Sequence, residues 1–260
     1  MKAQKMKLSL SNGIFSSLGL EKNFATIKWL GFENLEFNMK TVRTENDTAV
    51  HDAQQLLIAS GLNCLTLHSA TLHVKDEVEI HRAVYYGKIS LEFARKLSAP
   101  IMTVHSNISK KLPQEIRRKC LTEVFGELNP FAKSLDIKLA LENLSYASTG
   151  FGKNVDQLNE VLDIIDDGSM GITLDFCHAL ETKQTGNLIS KYGSRICNVH
   201  MANKSHKPFT EATPELKEFL SALHDYEYTG SITLEIAHKT PIEQIVQTKA
   251  LFDRILPQFR

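Results

Sequence analysis

Short β-branched or apolar runs recur along the chain, and each is followed by a longer amphipathic stretch. The short runs are Lys7–Ser11, Asn34–Asn38, Leu62–His68, Ile101–His105, Ile137–Glu142, Gly171–Asp175, Ile196–His200 and Ser231–Glu235. Their length and alternation predict strands. Helical spacing appears in Glu21–Leu30, Asp52–Ser60, Tyr85–Leu97, Gln114–Ser134, Val155–Ile165, Pro214–Tyr226 and Pro241–Leu256. Asn154, Pro214 and Pro241 stand where helices start. Gly186–Lys191 carries a shorter, weaker helical signal.

Eight strand–helix units in strict alternation imply a parallel sheet with helical crossovers. Eight such units in about 250 residues is the usual size of a (β/α)₈ barrel. An open doubly wound sheet is the competitor. It would carry a phosphate-binding turn after its first strand. Ser11-Asn12-Gly13-Ile14 has no G-x-G-x-x-G, and no Walker A sequence occurs. No Pro/Gly/Ser-rich linker or charge block divides the chain, so the expectation is one α/β domain over residues 1–260, a single TIM barrel.

The strand endings repeat. Thr66-Leu67-His68, Thr103-Val104-His105, Thr173-Leu174-Asp175 and Thr233-Leu234-Glu235 share one pattern, and Ala140-Leu141-Glu142 and Asn198-Val199-His200 vary it. Residues two apart in a strand share a face. The small or Thr residue should therefore point inward with each ligand. The carboxyl ends of barrel strands meet at one mouth. Six consecutive strands thus deliver His, His, Glu, Asp, His and Glu to one rim. Converging carboxylates repel unless a cation or proton compensates them, which predicts a metal site.

Charge and cysteine content narrow the setting. Lys plus Arg and Asp plus Glu are both 30, so the formal net charge is zero. That removes the usual footprint of a dedicated nucleic-acid or membrane-surface binder. The basic group Lys110, Lys111, Arg117, Arg118 and Lys119 reads as a solvated helix face. No apolar run approaches the roughly 18–20 residues that span a bilayer. Met1–Ser11 is basic with a short apolar piece, unlike a signal peptide. The four cysteines form no Cys-x-x-Cys pair, and reduced thiols in the cytoplasm are expected. Cys177 reads as a packing thiol. His51, His73, His81, His224 and His238 read as surface or satisfied residues, and Trp29 as helix–sheet core.

Leu141-Glu142-Asn143, Leu174-Asp175-Phe176-Cys177-His178, Val199-His200-Met201 and Leu234-Glu235 resemble the xylose isomerase-like barrel superfamily, which includes endonuclease IV and the ketose 3-epimerases. The resemblance covers essentially the whole chain. It implies that Glu142, Asp175, His200 and Glu235 bind one divalent cation. It implies substrate contact or a further zinc for His178, and a second metal site from His68 and His105. The nuclease-like Asp-x-His appears as Lys204-Ser205-His206. A protonated lysine cannot ligate, so the third zinc site of the nucleases is expected to be broken. The Pro-x-Gly-x-Gly stretch that often follows is replaced by Pro208-Phe209-Thr210.

Three carboxylates and one imidazole suit Mn²⁺, Mg²⁺ or Co²⁺, and the imidazole also suits Zn²⁺. Isomerisation or epimerisation needs a proton removed beside a carbonyl. Glu142 and Glu235 are the acid–base pair expected to do this. His178 and His206 would hold substrate oxygens. Lys204 adds positive charge near the mouth and would favour an acidic or phosphorylated substrate. Glu36 is either a sugar contact or a hydrogen-bonding group inside the barrel.

The leading expectation is a metal-dependent sugar or polyol isomerase or epimerase, with a small sugar as partner and neither nucleic acid nor membrane. The alternatives are an endonuclease IV-like zinc phosphodiesterase and a non-catalytic barrel that binds metal and a small ligand. Loops set the substrate, so the fold leaves it open.

Overall fold

The computed structural model describes residues 5–42, 48–165 and 168–259. Residues 1–4 of the basic N-terminal stretch fall outside that range. In chain order the elements are β1 (Lys7–Ser11), α1 (Leu20–Trp29), β2 (Asn34–Asn38), α2 (Ala49–Ser60), β3 (Asn63–His68), α3 (Ile80–Lys96), β4 (Ile101–Val104), α4 (Gln114–Ser134) and β5 (Lys138–Glu142). They continue with α5 (Val155–Ile165), β6 (Gly171–Asp175), α6 (Phe176–Thr182), α7 (Thr185–Tyr192), β7 (Ile196–Met201), α8 (Pro214–Asp225), β8 (Ser231–Leu234) and α9 (Ile242–Ile255). All neighbouring strands are parallel, and β1 pairs with both β2 and β8, so the sheet closes on itself. This is the single (β/α)₈ barrel that the alternation implies.

Side-chain parity builds the interior. Thr103 Oγ1 meets Thr173 Oγ1 across the barrel at 2.8 Å. Asn198 Nδ2 donates to Thr103 Oγ1 at 3.2 Å, while Ser231 and Thr233 donate to Asn198 Oδ1 at 2.6 and 3.3 Å. These side chains are buried, so the inward threonines form a hydrogen-bonded polar layer beneath the strand ends. Apolar residues at the alternate positions, such as Ile172 and Leu174, are equally buried. By parity they face the helices. Outside the sheet, Phe176 packs on Phe209 and Phe219, and Phe209 packs on Phe252, tying α6, α8 and α9 to one apolar layer.

The helix starts follow local chemistry. Asn154 Oδ1 accepts the Gln157 N–H at 3.0 Å, and Thr213 Oγ1 accepts the Leu216 N–H at 3.3 Å with Pro214 in the first turn. Three features depart from the sequence reading. Helix α3 begins at Ile80 rather than Tyr85, after a short turn capped by Asp76. A further helix, α6, follows β6 directly, because Asp175 caps it through the His178 N–H. Trp29 is 73% exposed rather than core. The buried stripe of α1 is Asn23, Phe24 and Ile27, and Trp29 lies off that stripe at the helix end.

Candidate metal centre

Strands β5, β6 and β7 end on Glu142, Asp175 and the His200–Met201 pair, and Glu235 is the first residue past β8. One donor atom each from Glu142, Asp175, His200 and Glu235 lie within 4.8 Å of one another. His200 is the hub. Its Nδ1 lies 3.2 Å from Glu142 Oε1, 3.0 Å from Glu235 Oε2 and 4.0 Å from Asp175 Oδ2. Asn143 fixes the neighbouring strand end, since its side chain accepts the Asp175 N–H at 2.7 Å and donates to the Asp175 carbonyl at 3.0 Å.

Two more groups flank this one. His68, His105 and Glu142 form the first, with His105 Nε2 at 2.8 Å and His68 Nε2 at 3.4 Å from Glu142 Oε2. Asp175, His178 and His206 form the second, with the two histidine Nε2 atoms 3.2 Å apart. The outer nitrogens are already committed. Nδ1 of His68 donates to the Ser69 carbonyl, of His178 to the Asn143 carbonyl and of His206 to the Glu235 carbonyl, at 3.1, 2.8 and 2.9 Å. Each ring therefore turns its Nε2 inward, the arrangement that orients ligating imidazoles. His206 reaches this position through a tight turn. Ser205 and His206 have φ of 59° and 52°, a left-handed conformation that costs non-glycine residues energy. Three bonds hold it: Ser205 N–H to Glu181 at 3.1 Å, His206 N–H to Cys177 Sγ at 3.4 Å, and Ala237 N–H to the His206 carbonyl at 2.7 Å.

Burial and carboxylates compete at His68, His178 and His200. Burial disfavours a charge on His200, but Glu36, Glu142 and Glu235 outweigh it and hold the imidazole well above its usual pKa. Burial likewise opposes protonation of His68, yet Glu142 pushes it up to about 9. Glu142 is driven well below the carboxylate range, because His105 and His200 overcome the effect of its burial. Asp175 moves the other way, raised chiefly by burial. Its Oδ2 is buried without a hydrogen-bond partner. A buried carboxylate oxygen lacking a donor is costly. A divalent cation among Glu142, Asp175, His200 and Glu235 would satisfy that oxygen and replace the imidazolium proton, so the residues fit such an ion.

Two expected substrate residues fall elsewhere. Glu36 is completely buried, and its Oε2 accepts from Thr66 Oγ1, Asn198 Nδ2 and His200 Nε2 at 2.9, 3.3 and 2.8 Å. Its bonds are those of a hydrogen-bonding group inside the barrel. Lys204 is exposed, and its charge is felt by Glu215 at the start of α8. Three residues of the supposedly broken group are nonetheless assembled. Asn143 and Asn198 carry positioning roles that the sequence reading did not assign. Cys177 is a buried thiol pushed up to about 12 by burial, in keeping with packing. His238 is satisfied by the Ile14 carbonyl at 3.0 Å.

A cavity of about 390 Å³ opens beside the centre, with His68, His105 and Glu235 in its wall. No helix of the described residues is long and apolar enough to cross a membrane.

Solved structures share the fold at low identity. An L-ribulose 3-epimerase aligns with a TM-score of 0.83 at 15% identity, covering 98% of this chain and 96% of that one. The 3-keto-D-glucoside 4-epimerase from E. coli aligns with a TM-score of 0.80 at 17% identity, over 96% and 100%. A D-psicose 3-epimerase from Clostridium cellulolyticum H10 aligns with a TM-score of 0.79 at 16% identity, over 96% and 99%. An uncharacterised protein of Methanocaldococcus jannaschii is 26% identical over 157 residues, which is 56% of this chain and 54% of that protein. The chain thus matches about half the length of that relative. Residues 24–254 match the family model of the xylose isomerase-like TIM barrel, and the chain belongs to that family.

Proposed function

We propose that this protein is a divalent-metal-dependent sugar or polyol isomerase or epimerase that transfers a proton beside a carbonyl. One observation carries the reading: Glu142, at the end of β5, and Glu235, just past β8, converge on His200 Nδ1 at 3.2 and 3.0 Å. When bound among Glu142, Asp175, His200 and Glu235, a divalent cation supplies electrophilic polarisation of a substrate carbonyl. Glu235 borders the cavity and would take the proton from carbon. Glu142, which contacts His105 of the cavity wall, would return it. His178 and His206 offer Nε2 atoms to substrate oxygens. The sugar epimerases among the structural neighbours accord with a small sugar substrate. The four free thiols accord with a reducing cytoplasm.

Incubation of the metal-loaded protein with a ketose panel in deuterated water tests this. Solvent deuterium should enter at the reacting carbon, and Glu235→Gln should abolish the exchange. Absence of exchange with every sugar, metal being bound, would remove the reading.

A second reading is an endonuclease IV-like zinc phosphodiesterase. It is favoured by the two flanking groups, His68–His105–Glu142 and Asp175–His178–His206, which extend one site toward three. Nicking of abasic DNA that survives nuclease removal and is lost in Glu142→Gln would put this reading first.

A further inference from the structure

We propose that Lys40 recognises an anionic group, phosphate or carboxylate, at the far end of the substrate from the metal centre, so that the protein acts on acidic or phosphorylated sugars. The proposal rests on the sugar isomerase or epimerase reading and adds its substrate class. The cavity at the mouth has two unlike walls. His68, His105 and Glu235 belong to the centre, while Asn38, Met39 and Lys40 form the wall contributed by the end of β2 and the turn after it. Lys40 is the one lysine or arginine in the cavity lining among the described residues. No carboxylate of those residues lies within ion-pair distance of it.

Lys40 is exposed, and the turn that carries it is anchored. A Cβ at Gly13 would stand 2.6 Å from Lys40 Cε and 2.9 Å from Nζ, so the lysine stem lies over the end of β1. The turn that carries it is fixed by a short network. Buried Asn12 accepts the Asn38 N–H at 2.7 Å and donates to Thr41 Oγ1 at 3.3 Å. Thr41 Oγ1 donates to the Asn38 carbonyl at 2.8 Å, and Asn38 Oδ1 accepts the Lys40 N–H at 3.1 Å. Asn38 Nδ2 makes no hydrogen bond among the described residues, which leaves a second donor at the cavity wall.

Charge decides what this wall can bind. The centre is ringed by Glu142, Asp175 and Glu235, so it takes the carbonyl and hydroxyl end of a ligand and repels an anion. The exposed Lys40 ammonium, with an amide donor beside it, suits phosphate or carboxylate oxygens instead, through charge-assisted hydrogen bonds. The 390 Å³ cavity is in the range, about 300–1,000 Å³, of small-molecule sites. The positive charge that the sequence suggested at Lys204 is thus placed at the cavity by Lys40.

Calorimetric titration of metal-loaded protein with fructose, fructose 6-phosphate and fructuronate tests the assignment, alongside steady-state kinetics. The expected result is preference for an anionic sugar. Lys40→Met should weaken that sugar about 10- to 100-fold while leaving fructose and metal content unchanged. The loss should appear in KM rather than kcat, and Lys40→Arg should restore part of it. Gly13→Ala, which displaces the lysine without removing it, should reproduce a fraction of the defect. Loss confined to fructose 6-phosphate identifies phosphate as the group read; loss extending to fructuronate identifies any small anion. Equal weakening of neutral and anionic sugars, or no anionic preference in the unsubstituted protein, overturns the proposal. So does a Lys40→Met defect seen only with abasic duplex DNA. Anion-selective binding without turnover of any ketose would sink the isomerase reading and leave Lys40 as assigned, whereas turnover of neutral sugars alone would do the reverse.

Discussion

Glu36 Oε2 stands 2.8 Å from His200 Nε2, on the side of the ring away from Glu142 and Glu235. Glu36 therefore keeps the Nε2 proton in place, and Nδ1 is the nitrogen whose proton a cation displaces. A carboxylate behind a ligating imidazole aims the ring and raises its basicity. Thr66 and Asn198 hold Glu36 in turn, so the polar layer of the barrel is continuous with the centre above it.

Glu36→Gln should accordingly weaken metal binding about 10- to 100-fold, the scale for such outer partners. The barrel should stay folded, because the amide is nearly isosteric. Competition against a chelator, with circular dichroism as the folding control, measures this. Unchanged affinity would mean that Glu36 does not act through His200.

Glu235→Gln separates a ligand from an acid–base group. Loss of the proton-transferring carboxylate should lower kcat about 10²- to 10⁴-fold. Glu142, Asp175 and His200 remain, so elemental analysis should still find metal, more weakly held. Retained kcat with reduced metal affinity would leave Glu235 as a ligand alone.

Much of this was readable in the sequence because barrel geometry repeats. The Thr-x-His, Thr-x-Asp and Thr-x-Glu endings gave both the inward layer and the rim, since strand parity couples positions two apart. Where tertiary context decides, letters were insufficient. Glu36 could face sugar or core, and only its bonds to Thr66, Asn198 and His200 choose. Helix α6 carries no stripe of its own and starts because a site residue, Asp175, caps it. Trp29 looked like core because it is large and apolar, but the buried stripe of α1 passes through Phe24 and Ile27. Lys204 was judged by its place in a motif, whereas a left-handed turn at Ser205 and His206 separates it from the histidine two positions on.

The metal-free protein should lose stability as pH rises. His68 is raised to about 9 in the folded chain, against about 6.5 unfolded. A raised pKa gives stability that is fully present below about pH 6.5 and lost as pH climbs through about 9. A cation held by His68, His105 and Glu142 would replace that proton, so its affinity should rise over the same window. Thermal unfolding with and without chelator across this range should show a widening gap toward high pH. A gap that narrows would contradict the assignment.

Gly87 tests the packing of α3 on α4. A Cβ there would meet Leu128 Cδ1 and Cδ2 at 2.6 Å, and Leu128 is completely buried. Gly87→Ala should therefore destabilise by about 1–3 kcal/mol through overpacking, despite alanine's better helix propensity. Denaturant unfolding measures the change. A stabilised variant would show that Leu128 can move aside.

Metal stoichiometry distinguishes the two enzyme readings, and Lys204 is the residue to vary. Asp175, His178 and His206 are already assembled, with the two Nε2 atoms 3.2 Å apart. What this group lacks relative to the nuclease pattern is the carboxylate two residues before His206. Lysine cannot supply a lone pair while protonated, and Lys204 is exposed on its turn. The unsubstituted protein should therefore hold at most two zinc ions tightly. Lys204→Asp should raise the number by one, because a fourth donor completes a tetrahedral set, and sugar turnover should fall as zinc takes the His178 and His206 Nε2 atoms from the substrate. Zinc titration followed by elemental analysis after gel filtration reads both numbers. Unchanged stoichiometry in the variant would mean that the turn cannot bring residue 204 to the two histidines. Three tight zinc ions in the unsubstituted chain would show that three ligands suffice, and the phosphodiesterase would then be the better account of the site.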